Sequence, residues 1–190
     1  MSEQREKCEK KPRFCTFWKE NDQKALTEWW HWLDDNRGER AQLSRCDTTG
    51  QVLPQSAFHR LCWKLPWWEK ADLMALAVVA GLLSHVSELR GLLLPSQMGQ
   101  CREGGDKPKL SELRFQQLLS SENHDEMFER TRRAIHLLGR SANILSLADG
   151  IFHWSKDKRD RYSEKPSQRF HYAWSKAYFN ELFKYQKETK

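Results

Sequence analysis

Glycine and proline are scarce in this chain, nine and six among 190 residues, and β-branched side chains are sparse. Sheet architectures need turn punctuation and β-branched residues, so this shortage disfavours them. The Leu, Ala, Glu, Lys, Arg and Gln that fill most positions favour helix. The five cysteines, Cys8, Cys15, Cys46, Cys62 and Cys101, are odd in number and form no C-x-x-C pair. That argues against a disulfide framework or a zinc cage and for a reducing, cytoplasmic setting. The chain has no phosphate-cradling or dinucleotide-binding glycine loop, no H-E-x-x-H and no G-x-S-x-G. Its longest apolar run, Leu73 to Leu83, has 11 residues, short of the ~20 that cross a bilayer. The opening stretch, "MSEQREKCEKKPRF", lacks the apolar core of a secretion signal. No membrane association, cofactor or metal is therefore expected.

Apolar residues make up 38% of the chain, enough to bury a core without disulfide or metal support. The net charge of +6 suits contact with a polyanion without requiring it. The expected fold is all-α, two small packed helical lobes in a bundle-like arrangement with about eight helices. Residues 1–18 read as a flexible lead-in, 19–109 as an N-terminal lobe and 110–190 as a C-terminal lobe. Within the first lobe, 89–109 reads as a long irregular connector, because Gly91, Pro95, Gly99, Gly104, Gly105 and Pro108 interrupt it.

The helical signals are local. Leu26, Trp29, Trp30 and Leu33 recur at helical spacing after Asn21 or Asp22 as cap, and Gly38 can start "ERAQLSRC". Pro54 begins a helix reaching about Trp63, and residues 69–87, apolar nearly all round, form a central helix. Ser111 precedes "ELRFQQLL". Asn123 or Asp125 starts "EMFERTRRAIHLL", which Gly139 ends, and Asn143 caps "ILSLADGIFHW". The last helix carries Phe170, Trp174, Ala177, Tyr178, Leu182 and Tyr185 on one face.

Catalytic constellations are thin. His59 and Cys62 stand three apart and could share a metal, but no third or fourth ligand follows at a recognisable spacing. Asp34-Asp35 and the Glu126/Glu129 pair are explained by helix ends and i,i+4 partners. Nine tryptophans invite base stacking, yet Trp29, Trp154 and Trp174 at helical spacing fit core packing better. Trp67 and Trp68, after a proline in a break, are less determined.

The arginines say more. On a helical wheel Arg37, Arg40 and Arg45 share one arc, with Leu43 roughly opposite and Glu39 the sole near acid on that helix. In "EMFERTRRAIHLLGR", Met127, Phe128, Thr131, Ala134, Ile135 and Leu138 make an apolar stripe and turn Arg132, Arg133, His136 and Arg140 outward. There Glu126 and Glu129 can pair with Arg130 and Arg133. Arg114 lies on the preceding helix. A solvated charged face explains such patterns as readily as a surface that tracks phosphates.

The segments "WWHWLDDNRGERAQLSR", "FHRLCWKL", "LAVVAGLLSHV", "LSELRFQQLLSSENHDEMFERTRRAIHLLG" and "NILSLADGIFHW" together resemble CasB, the small-subunit family of the type I-E CRISPR Cascade surveillance complex. The likeness runs in order from about Trp29 to Tyr178. It implies an all-α, non-enzymatic protein of two helical lobes. Two copies would lie along the inner face of a guide-RNA complex, touching the backbone and large subunits. Its basic surface would hold the displaced non-target strand and support the target DNA strand of the R-loop in antiviral defence. Matched onto this sequence, the basic positions are Arg45 with Arg40 upstream, Arg114 in "ELRF", Arg132 and Arg133 together, and Lys156, Lys158 and Arg159 after "FHW"; Arg37, Arg60 and Arg140 are further candidates for nucleic-acid contact. Ser44 stands where the family motif is often basic, so one contact is either missing or supplied by Arg37. The rival class is a purely protein-binding helical scaffold without direct nucleic-acid contact, for which Trp67 and Trp68 would matter most.

Overall fold

The computed structural model describes residues 17, 19–102, 105–159 and 165–188, without the side chains of 67–71 and 186–188. Most of the lead-in at 1–18 and the contacts of Trp67 and Trp68 therefore lie outside the described residues. The architecture is all-α: α1 Glu20–Asp35, α2 Arg37–Ser44, α3 Thr49–Val52, α4 Ser56–Lys64, α5 Pro66–Ser84, α6 Leu94–Gly99, α7 Glu112–Leu119, α8 His124–Leu137, α9 Ile144–Arg159 and α10 Phe170–Glu188. The eight longer helices are the eight expected, while α3 and α6, of four and six residues, go beyond that expectation. Two two-residue strands, β1 Glu88–Leu89 and β2 Ser141–Ala142, pair in parallel.

Helix α5 is the hub, packed against α2, α3, α4, α8 and α9. Its residues from Ala75 to Leu83 are almost wholly buried, as an all-round apolar stretch requires. The helix is broken once, at Asp72 (φ −160°, ψ 79°). There the Asp72 carboxylate accepts from Ala75 N–H at 2.9 Å and caps the second segment as an N-cap side chain does. The other carboxylate oxygen accepts from the Ser155 hydroxyl of α9, tying the break to a neighbouring helix.

Residues 89–109, expected to be irregular, contain a fully buried α6 that packs along α10. Gly99 permits this, because a Cβ there would overlap the Tyr178 carbonyl. Leu110 is then held from two sides, donating N–H to Met98 O at 3.0 Å and accepting the Tyr178 hydroxyl at 2.7 Å. Trp29, Trp154 and Trp174 are core residues, 0%, 1% and 5% exposed, with Trp29 Nε1 donating to Ala57 O at 2.9 Å. The buried apolar side chains form one continuous cluster from Phe17 to Leu182.

Caps differ in detail from expectation. Lys19 rather than Asn21 or Asp22 precedes α1, and Asn36 rather than Gly38 precedes α2. Asn123 does cap α8, accepting from Glu126 N–H, and Asn143 Oδ1 accepts from Ser146 N–H at 2.9 Å at the start of α9. Gly139, at φ 71°, ends α8 in the left-handed conformation.

Candidate nucleic-acid interface

The three arginines around α2 separate into two kinds. Arg37 and Arg45 are exposed and their side chains make no hydrogen bond or ion pair to the described residues. Arg40 is half-buried. Its Nε donates to Ser84 O at 3.0 Å, one terminal nitrogen donates to Val86 O and the other pairs with Asp34. Ser84 ends α5 and Val86 lies two residues beyond it, so the guanidinium satisfies a last-turn carbonyl that has no helical partner and sits at the negative end of the helix dipole. The wheel placed all three arginines on one arc but could not show that an acid on α1 and the end of α5 meet only the middle one. Ser44 donates to Ala41 O at 3.1 Å.

Arg140 repeats the device from the other side. It takes a left-handed φ of 60°, rare for a side chain with a Cβ, and its Nε donates to His85 O at 3.3 Å. His85 is itself 5% exposed with its ring 5.3 Å from that of His136, and its Nε2 has no partner among the described residues. Burial first, then the charges of His136, Arg132, Arg140 and Arg40, push the His85 pKa down to about 4. His136 is lowered by the same causes in milder form, burial first and then Arg140 and Arg132. His85 escaped the sequence reading because a lone histidine ending an apolar run gives no hint that three arginines and a second histidine will surround it.

Arg132 on α8 reaches back to the loop after α2, pairing with Asp47 at 2.8 Å and donating to Cys46 O at 3.3 Å. Its guanidinium also lies 5.5 Å from the Phe128 ring centre. The basic faces read as separate patches are thus joined, Arg45 standing two residues from the acid that holds Arg132. The pairings expected within α8 are present, Arg130 with Glu126 at 3.1 Å and Arg133 with Glu129.

Between α7 and α8 lies a cavity of about 410 Å³ whose polar lining is Arg114, Gln117, Arg130, Arg132, Arg133 and His136, with Leu110, Ala134 and Leu137 as its apolar part. No acidic side chain is among these residues. Arg114 is exposed and has no ion pair among the described residues. Cations in a recess with apolar walls hold an anion more strongly than the same charges spread over open surface. Arg130 joins this group although the sequence suggested only an internal ion pair for it.

The remaining candidates lie apart. Arg60 on α4 is exposed and stacks 4.3 Å from the Trp32 ring centre. Lys156, Lys158 and Arg159 occupy the last turn of α9 rather than a turn after it. Lys158 donates to Glu122 O at 3.0 Å and Arg159 lies 3.9 Å from Asp72, while Lys156 is exposed. The charged segment that follows includes 160–164, outside the described residues. His59 is exposed and Cys62 buried on α4, and the described residues contain no cluster of three metal-ligating side chains.

Among the curated proteins and the solved structures compared, none matches the chain. The family model described as CRISPR-associated protein Cse2 matches residues 39–179, which runs from within α2 to about the middle of α10 and takes in the arginine cavity. Over that span, more than half of its length, the chain belongs to the Cse2 family, CasB, the small subunit of the type I-E CRISPR Cascade.

Proposed function

We propose that this Cascade subunit is non-catalytic and steadies the R-loop through phosphate contacts to the target strand and the displaced non-target strand. The observation that carries this reading is the acid-free cavity of Arg114, Arg130, Arg132, Arg133 and His136, continued by Arg45 through the Asp47–Arg132 pair. Strand exchange runs near energetic balance, so a few backbone contacts bias it toward the open state. Sequence is left to guide pairing. In this reading two cytoplasmic copies line the guide-RNA complex and touch its backbone and large subunits. The N-terminal lobe supplies Arg37 and Arg45, and the C-terminal lobe supplies the cavity.

The test is reconstitution of the complex with Arg45→Ala and Arg114→Ala, followed by target-DNA affinity against salt. Removing one cation that neutralises a phosphate lowers the salt slope by about 1. An unchanged slope with the subunit incorporated overturns the reading. The rival, a scaffold that contacts protein alone, draws support from Trp63 on α4, which is 80% exposed. It predicts that Trp63→Ala releases the subunit while Arg45→Ala and Arg114→Ala leave affinity unchanged.

A further inference from the structure

The cavity between α7 and α8 holds less free charge than its lining suggests. Of the five basic side chains around it, three are already engaged: Arg130 with Glu126 at 3.1 Å, Arg133 with Glu129, and Arg132 with Asp47 at 2.8 Å. Those acids stand outside the lining, but each neutralises part of the charge its arginine could offer an anion. Arg114 of α7 and His136 of α8 are the other two. Both are exposed, and neither side chain makes a hydrogen bond or ion pair to the described residues.

Arginine keeps its charge throughout the physiological range, whereas an imidazole is a cation only when protonated. The surroundings of His136 decide when that happens. Burial first, then Arg140 and Arg132, four residues to either side of it, push its pKa below the ordinary 6.5. Its place in the last turn of α8 works the other way, since the helix dipole there favours a cation. From the end of α5 it meets His85, whose ring is 5.3 Å away, 5% exposed and, with its pKa pushed down to about 4, neutral at any higher pH. Arg40 of α2 acts on His85 from behind, and Arg114 faces the cavity from α7. Among the described residues no acid pairs with His136 from any of these elements.

A phosphodiester is anionic across the whole range in which imidazoles titrate. Once in the cavity it supplies the negative charge that the fold does not, and an opposite charge within about 4–6 Å favours the protonated ring. The contact is then a charge-assisted hydrogen bond, stronger than one from a neutral imidazole.

We propose that His136 is the conditional cation of the arginine cavity: entry of a strand phosphate draws a proton onto its ring, which then holds the phosphate beside Arg114, so that single-stranded DNA binds more tightly as the solution is acidified. The proposal rests on the strand-holding role above. Because the complex binds one proton more than the separate partners, affinity rises as pH falls from the raised value of the complex toward the free value, which lies below 6.5, and levels off beyond it.

The full-length chain is titrated at low salt with a rhodamine-labelled oligothymidylate between about pH 8 and about pH 6, a range in which neither the label nor the strand changes charge. We expect wild-type affinity to rise about three- to tenfold across it, and calorimetry in buffers of different protonation enthalpy to show net proton uptake on binding. His136→Gln should give a flat profile at the wild type's alkaline affinity. His136→Arg, charged at every pH, should be equally flat at the wild type's acid affinity. Undiminished pH dependence in His136→Gln assigns the proton to another group and overturns the proposal. A flat wild-type profile without proton uptake, a measurement that needs no variant to fold, also overturns it and leaves phosphate holding by the arginines intact. Absence of binding at every pH overturns it and counts against the strand-holding role as well.

Discussion

Arg132 of α8 and Asp47 of the loop after α2 lie 85 positions apart in sequence and meet at 2.8 Å. Asp47 thus holds one of the cavity arginines and sets its place beside Arg45. The acid keeps a strand-facing cation in position while neutralising part of its charge. Replacing it separates these two effects.

Asp47→Asn keeps the shape of the side chain and removes the charge. Because Asp47 is largely exposed, stability should change by less than about 1 kcal/mol. Affinity for single-stranded DNA should rise about two- to threefold at low salt, as one more guanidinium is released to phosphate. Thermal unfolding and a salt titration check the two halves. A fall in affinity would mean that position matters more than charge.

Arg40 and Arg45 should behave as opposites. Arg40→Ala leaves the Ser84 carbonyl at the end of α5 without its donor, at a cost of about 2 kcal/mol in chemical denaturation. Arg45→Ala, on an exposed residue whose side chain has no partner among the described residues, should unfold within about 0.5 kcal/mol of wild type. Its effect should appear in DNA binding.

The pH dependence of stability follows from His85. Its ordinary value is 6.5 and in the fold it is pushed down to about 4, so on acidification the unfolded chain takes up a proton that the folded one refuses. Stability is fully present above pH 6.5 and declines as pH falls toward about 4, by up to about 3 kcal/mol. In His85→Asn that decline should be visibly flatter. Melting temperature across this range for the two proteins is the measurement, and parallel curves would exclude His85 as the cause.

Gly99 and Gly150 both mark contacts too close for a methyl group. Gly99→Ala would drive α6 off the Tyr178 backbone of α10, and Gly150→Ala would press α9 into the Trp174 ring. Each should cost about 3 kcal/mol, measured by chemical denaturation. Gly99→Ala should be the worse, because a backbone carbonyl cannot rotate away as a ring can. Gly38→Ala, with open space around it, is the neutral control.

How much of the fold and the interface is legible in the sequence depends on the range of the interaction. Helix faces such as Leu26, Trp29, Trp30 and Leu33 are local periodicities, as are the Asn123 and Asn143 caps, and they read directly. Helix α6 does not, because its proline and glycine, which look like breakers, serve as a first-turn residue and a point of close packing. The basic residues are visible, but their division into structural and exposed groups is not. Whether Arg40 caps α5 or meets solvent depends on carbonyls 44 and 46 residues away, and the Asp47–Arg132 pair is more distant still. Ion pairs within α8, four residues apart, are legible for the same reason.

The Phe17 amide donates to Asp149 Oδ1 at 2.8 Å across 132 positions, and the Phe17 ring stacks on Phe152 at 5.9 Å. During synthesis this closure must wait until α9 has left the ribosome. At about 5–20 residues per second, Phe17 emerges on the order of ten seconds before its partners. Over that interval the apolar faces of α1 and α5 are in solution without α9 to cover them. The nascent chain is therefore most exposed to misassembly and to chaperone capture late in translation, and slowing synthesis before residue 149 should lengthen that period.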